Sequence, residues 1–443
     1  MHYEKFQDGT IKCIEDEIPF EVPEGWAWAR LRDICMMSAG KSKSTDQIKS
    51  EPFEESYPCF GGNGVRGYVD EYNQDGIFSI VGRQGALCGN INIAIGKFYA
   101  TEHAVVTTLF DGIDFKWSNY ILEALRLNNY ATGAAQPGLS VANILNVFVP
   151  VPPTQEQDRI GNNVYESLKI VEALEQEKID LQKIIITAKT KILDLAIRGK
   201  LVPQDPNDEP ASVLLERIRT EKEELIKQGK IKRDKKESVI FKGDDNSYYE
   251  KLPDEKINCI DKQLPFELPD GWKWCNLSMI GTTNIGLTYR PADIDTQGII
   301  VLRSCNIVND RINRTDLVRV KTSIRENQFV QKDDILICAR NGSRSLVGKC
   351  ALIPELAEKV SFGAFMAVYR TPYFSYIVHF LRSNFFRSVF DDSNSTAINQ
   401  LTQDMLKRAV VPLPPLAEQL RIVDKITELF ERLNCIEEAV KKE

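Results

Sequence analysis

Arginine, asparagine and glutamine gather in short, glycine-bearing loops of this 443-residue chain. The loops are Gly61-Gly62-Asn63-Gly64-Val65-Arg66, Val81-Gly82-Arg83-Gln84-Gly85 and Ile337-Cys338-Ala339-Arg340-Asn341-Gly342-Ser343-Arg344. An arginine takes guanine O6 and N7 as a bidentate pair, and Asn or Gln takes adenine N6 and N7. Such side chains at a turn tip suit the base edges of a major groove; for any one of them the alternative is a solvated hairpin. Aligning Ile80 with Ile337 sets Arg83 on Arg340 and Gly85 on Gly342, and two such loops at equivalent places favour recognition. Arg290, Arg303, Ser304 and Asn306, near a turn and around Val301-Leu302, join the candidates. So do Gln136 of Gln136-Pro137-Gly138-Leu139-Ser140 and Asn399 and Gln400 of Ile398-Asn399-Gln400-Leu401-Thr402, expected at the same end of two related blocks. His103, between Glu102 and Ala104, reads as a buried structural residue, with a polar base contact as the alternative.

Catalytic patterns are missing from the sequence. Gly62-Asn63-Gly64-Val65-Arg66-Gly67 matches G-x-G-x-x-G, but a dinucleotide site needs a strand before it and a helix after it. Here Tyr57-Pro58-Cys59-Phe60 precedes it and Gly67-Tyr68-Val69-Asp70 follows, which spells turn and then strand. There is no Walker A loop, H-E-x-x-H or G-x-S-x-G. Nor is there Asn/Asp-Pro-Pro-Tyr/Phe, with which amino-methyltransferases grip a base. Ten cysteines without a C-x-x-C pair and three scattered histidines give no metal pattern and point to reduced thiols in a cytoplasmic protein. No catalytic, cofactor-binding or metal-binding residue is expected.

The elements that must position these loops come in two copies. Residues 3–40 recur without a gap at 249–286, most plainly as Pro19-Phe20-Glu21-Val22-Pro23-Glu24-Gly25-Trp26-Ala27-Trp28 and Pro265-Phe266-Glu267-Leu268-Pro269-Asp270-Gly271-Trp272-Lys273-Trp274. A second pair, Val149-Pro150-Val151-Pro152-Pro153 and Val411-Pro412-Leu413-Pro414-Pro415, leads into Glu156-Gln157 and Glu418-Gln419. Between these bookends the sequences diverge, so the frame is constant and the filling varies. The repeated Trp26, Trp28, Trp272 and Trp274 are therefore expected in the core or against the helices.

The filling of block one holds strand-like pieces, Ile77–Val81 and Ala104–Thr108. Apolar residues then step by three and four through Val164, Leu168, Val171, Leu174, Leu181, Ile185, Ala188, Ile192 and Leu195, which predicts a helix from Thr154 to about Arg198, stopped by Gly199. A proline-punctuated connector and a helix over Ala211–Lys227 follow, then a charged run, Lys230–Lys236. A last helix carries Leu416, Leu420, Val423, Ile426, Phe430, Leu433, Ile436 and Val440. The two long helices either pair antiparallel as a stiff spacer or pack each on its own block.

The chain carries a net charge of −7, against a simple nucleic-acid binder, but residues 281–410 hold 17 Lys and Arg against 12 Asp and Glu. Any DNA-facing surface must be local. No apolar run is long enough for a membrane span, and the start is no signal peptide.

Together the frame segments resemble those of the DNA-specificity (S) subunit of Type I restriction–modification systems. The central Ala196-Ile197-Arg198-Gly199-Lys200-Leu201-Val202-Pro203-Gln204-Asp205-Pro206 resembles that family too. The resemblance implies an α+β fold: two globular target-recognition domains, separated by long antiparallel coiled-coil-like helices, in a pseudo-twofold internal repeat. The corresponding division is 1–153 (first recognition domain), 154–248 (central helical region and connector), 249–415 (second recognition domain) and 416–443 (terminal helix). It implies a non-catalytic subunit that directs two methyltransferase (M) and restriction/translocase (R) subunits to a bipartite, asymmetric site on double-stranded DNA. S-adenosylmethionine, ATP and Mg would sit on those partners, none on this chain, and no membrane is involved. Alternatives are the specificity chain of a combined restriction–methylation enzyme and a coiled-coil protein-binding adaptor. One departure is that no copy of the segment from about Asp180 to Asn246 follows Glu443, so two M-subunit sites of unequal strength are expected.

Replacing Arg340 with Ala is expected to cost about 1–3 kcal/mol on DNA carrying one particular base pair and to relax one half-site only. An equal loss on all sequences in a binding titration would mark it as a phosphate contact instead.

Overall fold

The computed structural model describes residues 1–85, 87–133, 137–231, 233, 238–252, 254–391 and 400–442. It divides into two compact units, Met1–Glu177 and Lys178–Glu443. No helix among the described residues is long and apolar enough to cross a membrane.

Unit one opens with a hairpin of β1 (Tyr3–Lys5) and β2 (Ile11–Cys13). Its frame is β3 (Ala27–Arg30), which pairs antiparallel with β10 (Phe148–Val151) and sets Trp28 opposite Pro150. Proline has no N–H to give a ladder, and this two-stranded edge position is where it is tolerated. The short α1 (Leu31–Ile34) turns the chain into β4 (Cys35–Ala39). Then follow β5 (Tyr57–Gly61), β6 (Gly64–Val69), β7 (Gln74–Gly82), β8 (Ile91–Ala100) and β9 (Ala104–Leu109). They form one sheet in the order β4-β9-β7-β8-β5-β6, with β5 and β8 parallel. The G-x-G-x-x-G segment is the β5–β6 hairpin, Gly61 paired with Gly64, and no helix follows it. Asp114 caps α2 (Phe115–Ala124) by accepting from Trp117 N–H, and α3 (Val141–Ile144) leads to β10. Leu31, Val81, Val105, Trp117, Leu122, Leu127, Ile144 and Val149 make the core, each worth about 1.5–3 kcal/mol for a fully buried large side chain.

The helix α4 (Thr154–Ile197) begins in unit one and ends in unit two; at 1.5 Å per residue its 44 residues span about 66 Å. Its first turn is tied to the frame by Trp26 Nε1–H, which donates to Glu156 Oε2 (3.1 Å), and by Gln157, which donates to Pro152 O and accepts from Asp114 N–H.

Unit two repeats this frame and adds to it. Gly199, at φ +64°, ends α4, and α5 (Ala211–Lys227) follows. A sheet of β11 (Val239–Lys242), β12 (Tyr248–Lys251) and β13 (Ile257–Cys259) extends the counterpart of the β1–β2 hairpin by one strand. The frame strand β14 (Lys273–Asn276), the turn α6 (Leu277–Ile280), β15 (Thr282–Ile285) and β16 (Ile294–Leu302) come next. A small hairpin, β17 (Ile307–Val308) and β18 (Arg311–Ile312), turns through Asn309 and Asp310, both at positive φ. Then come β19 (Val318–Val320), β20 (Ile335–Cys338), β21 (Cys350–Leu352), β22 (Val360–Phe362) and β23 (Met366–Arg370). The helices α7 (Phe374–Arg382), α8 (Asn384–Asp391) and α9 (Gln403–Arg408) lead to β24 (Val410–Leu413) and α10 (Leu416–Lys442). Trp274 lies opposite Pro412, Trp272 donates to Glu418 Oε2 (2.9 Å), and Gln419 donates to Pro414 O, as their counterparts do in unit one.

The fillings share a strand order that their sequences do not reveal. Unit two runs β15-β23-β20-β21 in one sheet and β22-β16-β19 in another. The segment between β21 and β22 breaks what is one strand, β8, in unit one. The parallel pairing of β16 with β22 reproduces that of β5 with β8.

Within unit two, α10 lies antiparallel to the end of α4: Lys189 Nζ meets Glu437 Oε2 (2.8 Å), while Leu193, Ala196 and Ile197 share a core with Ile422 and Ile426. On α10, Ile422 and Ile426 are buried and Val423 and Phe430 partly buried beside them, while Leu416, Leu420 and Ile436 of the same three–four series are exposed. On α4, Leu168, Val171 and Leu174 are also exposed, whereas Ile185 is buried. Three–four spacing marks an apolar stripe but not the length over which a partner covers it.

His379 of α7 packs edge-on against Phe430 of α10, and although part of the residue reaches the surface, its Nδ1 is buried without a hydrogen-bond partner among the described residues. Burial, with Arg382 adding repulsion, lowers its pKa to about 3. The folded state therefore favours neutral imidazole: that stability is intact above the ordinary value of about 6.5 and is lost as the pH falls from there towards 3. His379→Leu is expected to flatten this part of the melting-temperature–pH curve; an unchanged slope would deny His379 the role.

Candidate nucleic-acid interface

The loops singled out by composition meet at one end of each unit. In unit one, Arg83 N–H donates to His103 O (2.9 Å), Leu139 N–H to Arg83 O (2.8 Å) and Gly85 N–H to Pro137 O (3.0 Å). Gln84 and Gly138 form a bridge. Gly62 is wedged against this junction: a Cβ on it would lie 3.2 Å from Gln84 O and 3.4 Å from His103 O. A Cβ on Gly82 would stand 2.0 Å from Gly62 O, so glycine is required where these two loops cross. Asn63 Oδ1 accepts from Asn90 Nδ2 (2.9 Å), and the exposed Arg66 donates to Thr45 Oγ1 (2.9 Å). Gly62, Asn63, Arg66, Arg83 and Gln84 thus belong to one surface. Gln136 lies outside the described residues.

The same junction recurs in unit two, but one residue away from the alignment of Ile80 with Ile337: Gly82 pairs with Ala104 as Cys338 pairs with Met366, which sets Arg83 on Ala339 and Gln84 on Arg340. Ala339 and Arg340 N–H donate to Phe365 O (2.9 and 3.0 Å), Leu401 N–H donates to Ala339 O (2.7 Å), and Arg340 bridges Gln400. The Arg340 guanidinium stands 5.6 Å from the Phe365 ring centroid. Asn341 Nδ2 donates to Ser304 Oγ (3.3 Å), which joins the 303–306 turn to this end, and Asn341 Oδ1 accepts from Ser343 N–H (2.9 Å). Ser343 and Arg344 are exposed beside it. Arg290 projects into solvent beside Asp293, past the Leu287–Gly363 bridge. Asn399 lies outside the described residues.

Three assignments change. Asn306 is 1% exposed; its amide donates to Asn313 O and Asp316 O and its Oδ1 accepts from Arg303 N–H, so it braces the turn and does not reach the surface. Arg303 is spent largely on Asp316, at 2.8 Å. His103 is not a buried structural residue: its side chain is 38% exposed at the junction, with Nε2 3.5 Å from Glu102 Oε1. The Asn341-Gly342 turn does join two strands, β20 and β21, but through the longer excursion 339–349.

Two features escaped the sequence. One is Phe365, 61% exposed on an otherwise polar end. The other is Lys41-Ser42-Lys43-Ser44-Thr45, whose Lys41 N–H donates to Ala100 O beside the junction. Lys43 is held by Glu71 (2.7 Å), whose hydrogen bond raises its pKa. A Lys-x-Lys pair in a loop was the available signal for the second. For Phe365 it was the offset of 262 residues, shared by Val149 and Val411, that sets His103 on Phe365. Among the described residues, half-buried His2 and exposed Glu15 and Glu21 bring potential ligand atoms within 4.8 Å of one another.

A duplicated α+β frame that presents one polar loop end per copy defines a tandem recognition protein. The chain belongs to the Type I restriction–modification DNA-specificity family: the model of the Type I restriction modification DNA specificity domain matches residues 23–188 and 269–443. Over 99% of its length the chain is similar to the Type I restriction enzyme EcoAI specificity subunit of Escherichia coli, 26% identical across 511 aligned residues covering 83% of that protein. A shorter stretch, 33% of this chain and 36% of the relative, is 47% identical to the EcoprrI specificity subunit of Escherichia coli. The fold is that of the HsdS subunit from Thermoanaerobacter tengcongensis, with TM-score 0.51, 14% identity and coverage of 95% of this chain and 94% of that one. A chain from a structural study of type I R-M complex assembly gives TM-score 0.58 at 15% identity, covering 96% and 95%. The chain's role is DNA-sequence specificity within a restriction–modification complex, in association with M and R subunits and DNA.

Proposed function

We propose that each unit reads one half of a bipartite, asymmetric DNA site through its loop end, and that α4 and α10 set the unread spacer between the halves. The observation that carries this is the matched junction, in which the backbone after β7 and after β20 donates to the carbonyl of His103 or Phe365 and presents an arginine, Arg83 or, one residue later, Arg340. The subunit supplies the address and no chemistry. Two M subunits bring S-adenosylmethionine and methylate adenine; R subunits bring ATP and Mg for translocation and cleavage, all in the cytoplasm. The acidic net charge of −7 fits protein docking, with basic character confined to phosphate-facing loops. The exposed Leu168, Ile170, Val171 and Leu174 of α4 offer an apolar face of the kind a docked helix covers.

Adenine-methylation sequencing of the source cell with and without this gene tests the proposal. Loss of one bipartite motif on deletion is expected; no change would reject it in favour of the adaptor. Motif loss accompanied by loss of all nuclease activity from one fused partner would indicate the combined enzyme.

The two M subunits should bind unequally. Trp272 and Trp274 are buried, whereas Trp26 and Trp28 are only half-buried, because unit two covers its frame with the end of α4, with Gly199 against Pro269 and Trp272, and with Ala211 N–H on Gly271 O. Native mass spectrometry under dilution is expected to show a one-to-one species; a two-to-one assembly that never loses a single M subunit would contradict it.

A further inference from the structure

We infer that residues 103 and 365 are one base-reading position present twice, and that Phe365 reads the 5-methyl group of a thymine next to a guanine taken by Arg340, whereas His103 reads a polar base edge beside Arg83. The inference rests on the proposal that the loop ends face DNA, and goes beyond it by naming the position and the chemistry that separate the two half-sites.

The backbone fixes the equivalence. Gly82 pairs with Ala104 as Cys338 pairs with Met366, and the residues that follow, Arg83 in one unit and Ala339 and Arg340 in the other, donate N–H to the carbonyls of His103 and Phe365. The offset between His103 and Phe365 is the one that relates Leu139 to Leu401 and Val149 to Val411. Both residues sit immediately before a central strand, β9 or β23, that lies beside the strand carrying the arginine loop. What repeats is the backbone junction with an arginine beside the same carbonyl, one residue later in unit two. What changes is the side chain presented next to it, imidazole in one copy and phenyl in the other.

The chemistry follows from exposure. A phenyl ring left 61% exposed contributes little to the fold, and an aromatic surrounded by polar turns is placed for contact. Its neighbour Arg340 supplies the fork that suits guanine O6 and N7. Within 5.6 Å of that guanidinium the ring has one distinctive apolar target in the major groove, the thymine methyl group. The His103 side chain is 38% exposed with Nε2 3.5 Å from Glu102 Oε1, whereas its Nδ1 is buried, so the imidazole presents a polar edge through Nε2. A polar edge is its natural complement.

The test uses the full chain with its M subunits and a duplex carrying the motif that the wild-type cell methylates. With Phe365→Ala, one thymine position of one half-site is expected to become degenerate in the methylation pattern, while the other half-site stays intact. Replacing that thymine with uracil is expected to weaken binding by the wild type about fourfold, the worth of one buried methyl group, and to leave F365A unaffected. His103→Ala should broaden the other half-site alone. Phe365→Leu, which keeps an apolar contact, controls for folding and should retain the thymine preference. An unchanged motif with folded F365A, or uracil without effect at every thymine of both half-sites, overturns this inference and leaves the half-site proposal standing. A wild type that directs no motif at all overturns both.

Discussion

Everything variable in this chain is held between two short strands that pair, Ala27–Arg30 with Phe148–Val151 in one unit and Lys273–Asn276 with Val410–Leu413 in the other. The pairing alone is small. It is locked by an indole–carboxylate hydrogen bond, Trp26 to Glu156 and Trp272 to Glu418, which reaches from the entry of each block to the first turn of the helix that leaves it. A glutamine one residue later fastens that turn again, to Pro152 O or Pro414 O. The buried Glu418 shows the cost of this lock: burial raises its pKa, while hydrogen bonds from Gln204 and Trp272 work in the opposite direction. Once entry and exit are fixed, the loops at the far end are free to change without disturbing the helix.

How the filling varies is itself constrained. Both blocks keep one strand order, and both keep one parallel pair, yet unit two breaks the strand corresponding to β8 and inserts a β17–β18 hairpin. Sheets require alternation and register, not particular residues, so two blocks can diverge in sequence and still place their loops at the same end. Glycine marks where divergence stops: Gly82 against Gly62 O, and Gly286 against Gly363 O, leave no room for a side chain.

The helices were legible because three–four spacing and the Gly199 stop are strong signals; α4 ends at Ile197 and α5 spans Ala211–Lys227 as their patterns required. The frame was legible because it repeats. Which polar side chains face outward was not. Asn306 and Asn341 look alike in sequence, but Asn306 is buried with its amide N–H groups on Asn313 O and Asp316 O, whereas Asn341 is half-buried, donates to Ser304 Oγ and accepts from Ser343 N–H. That difference depends on local turn geometry, to which residue type is blind. Phe365 escaped for the opposite reason: an apolar residue before a strand is by default assigned to the core, and only its position beside Arg340 shows otherwise.

The most direct measurement exchanges the filling and keeps the frame. Residues 35–147 would be replaced with residues 281–409, and the adenine-methylation motif of cells carrying the folded chimera determined. A frame that holds interchangeable reading blocks gives a palindromic motif, the second half-site twice with the spacer unchanged. An asymmetric motif identical to the wild type's would contradict it, since the loops would then not be what reads the DNA.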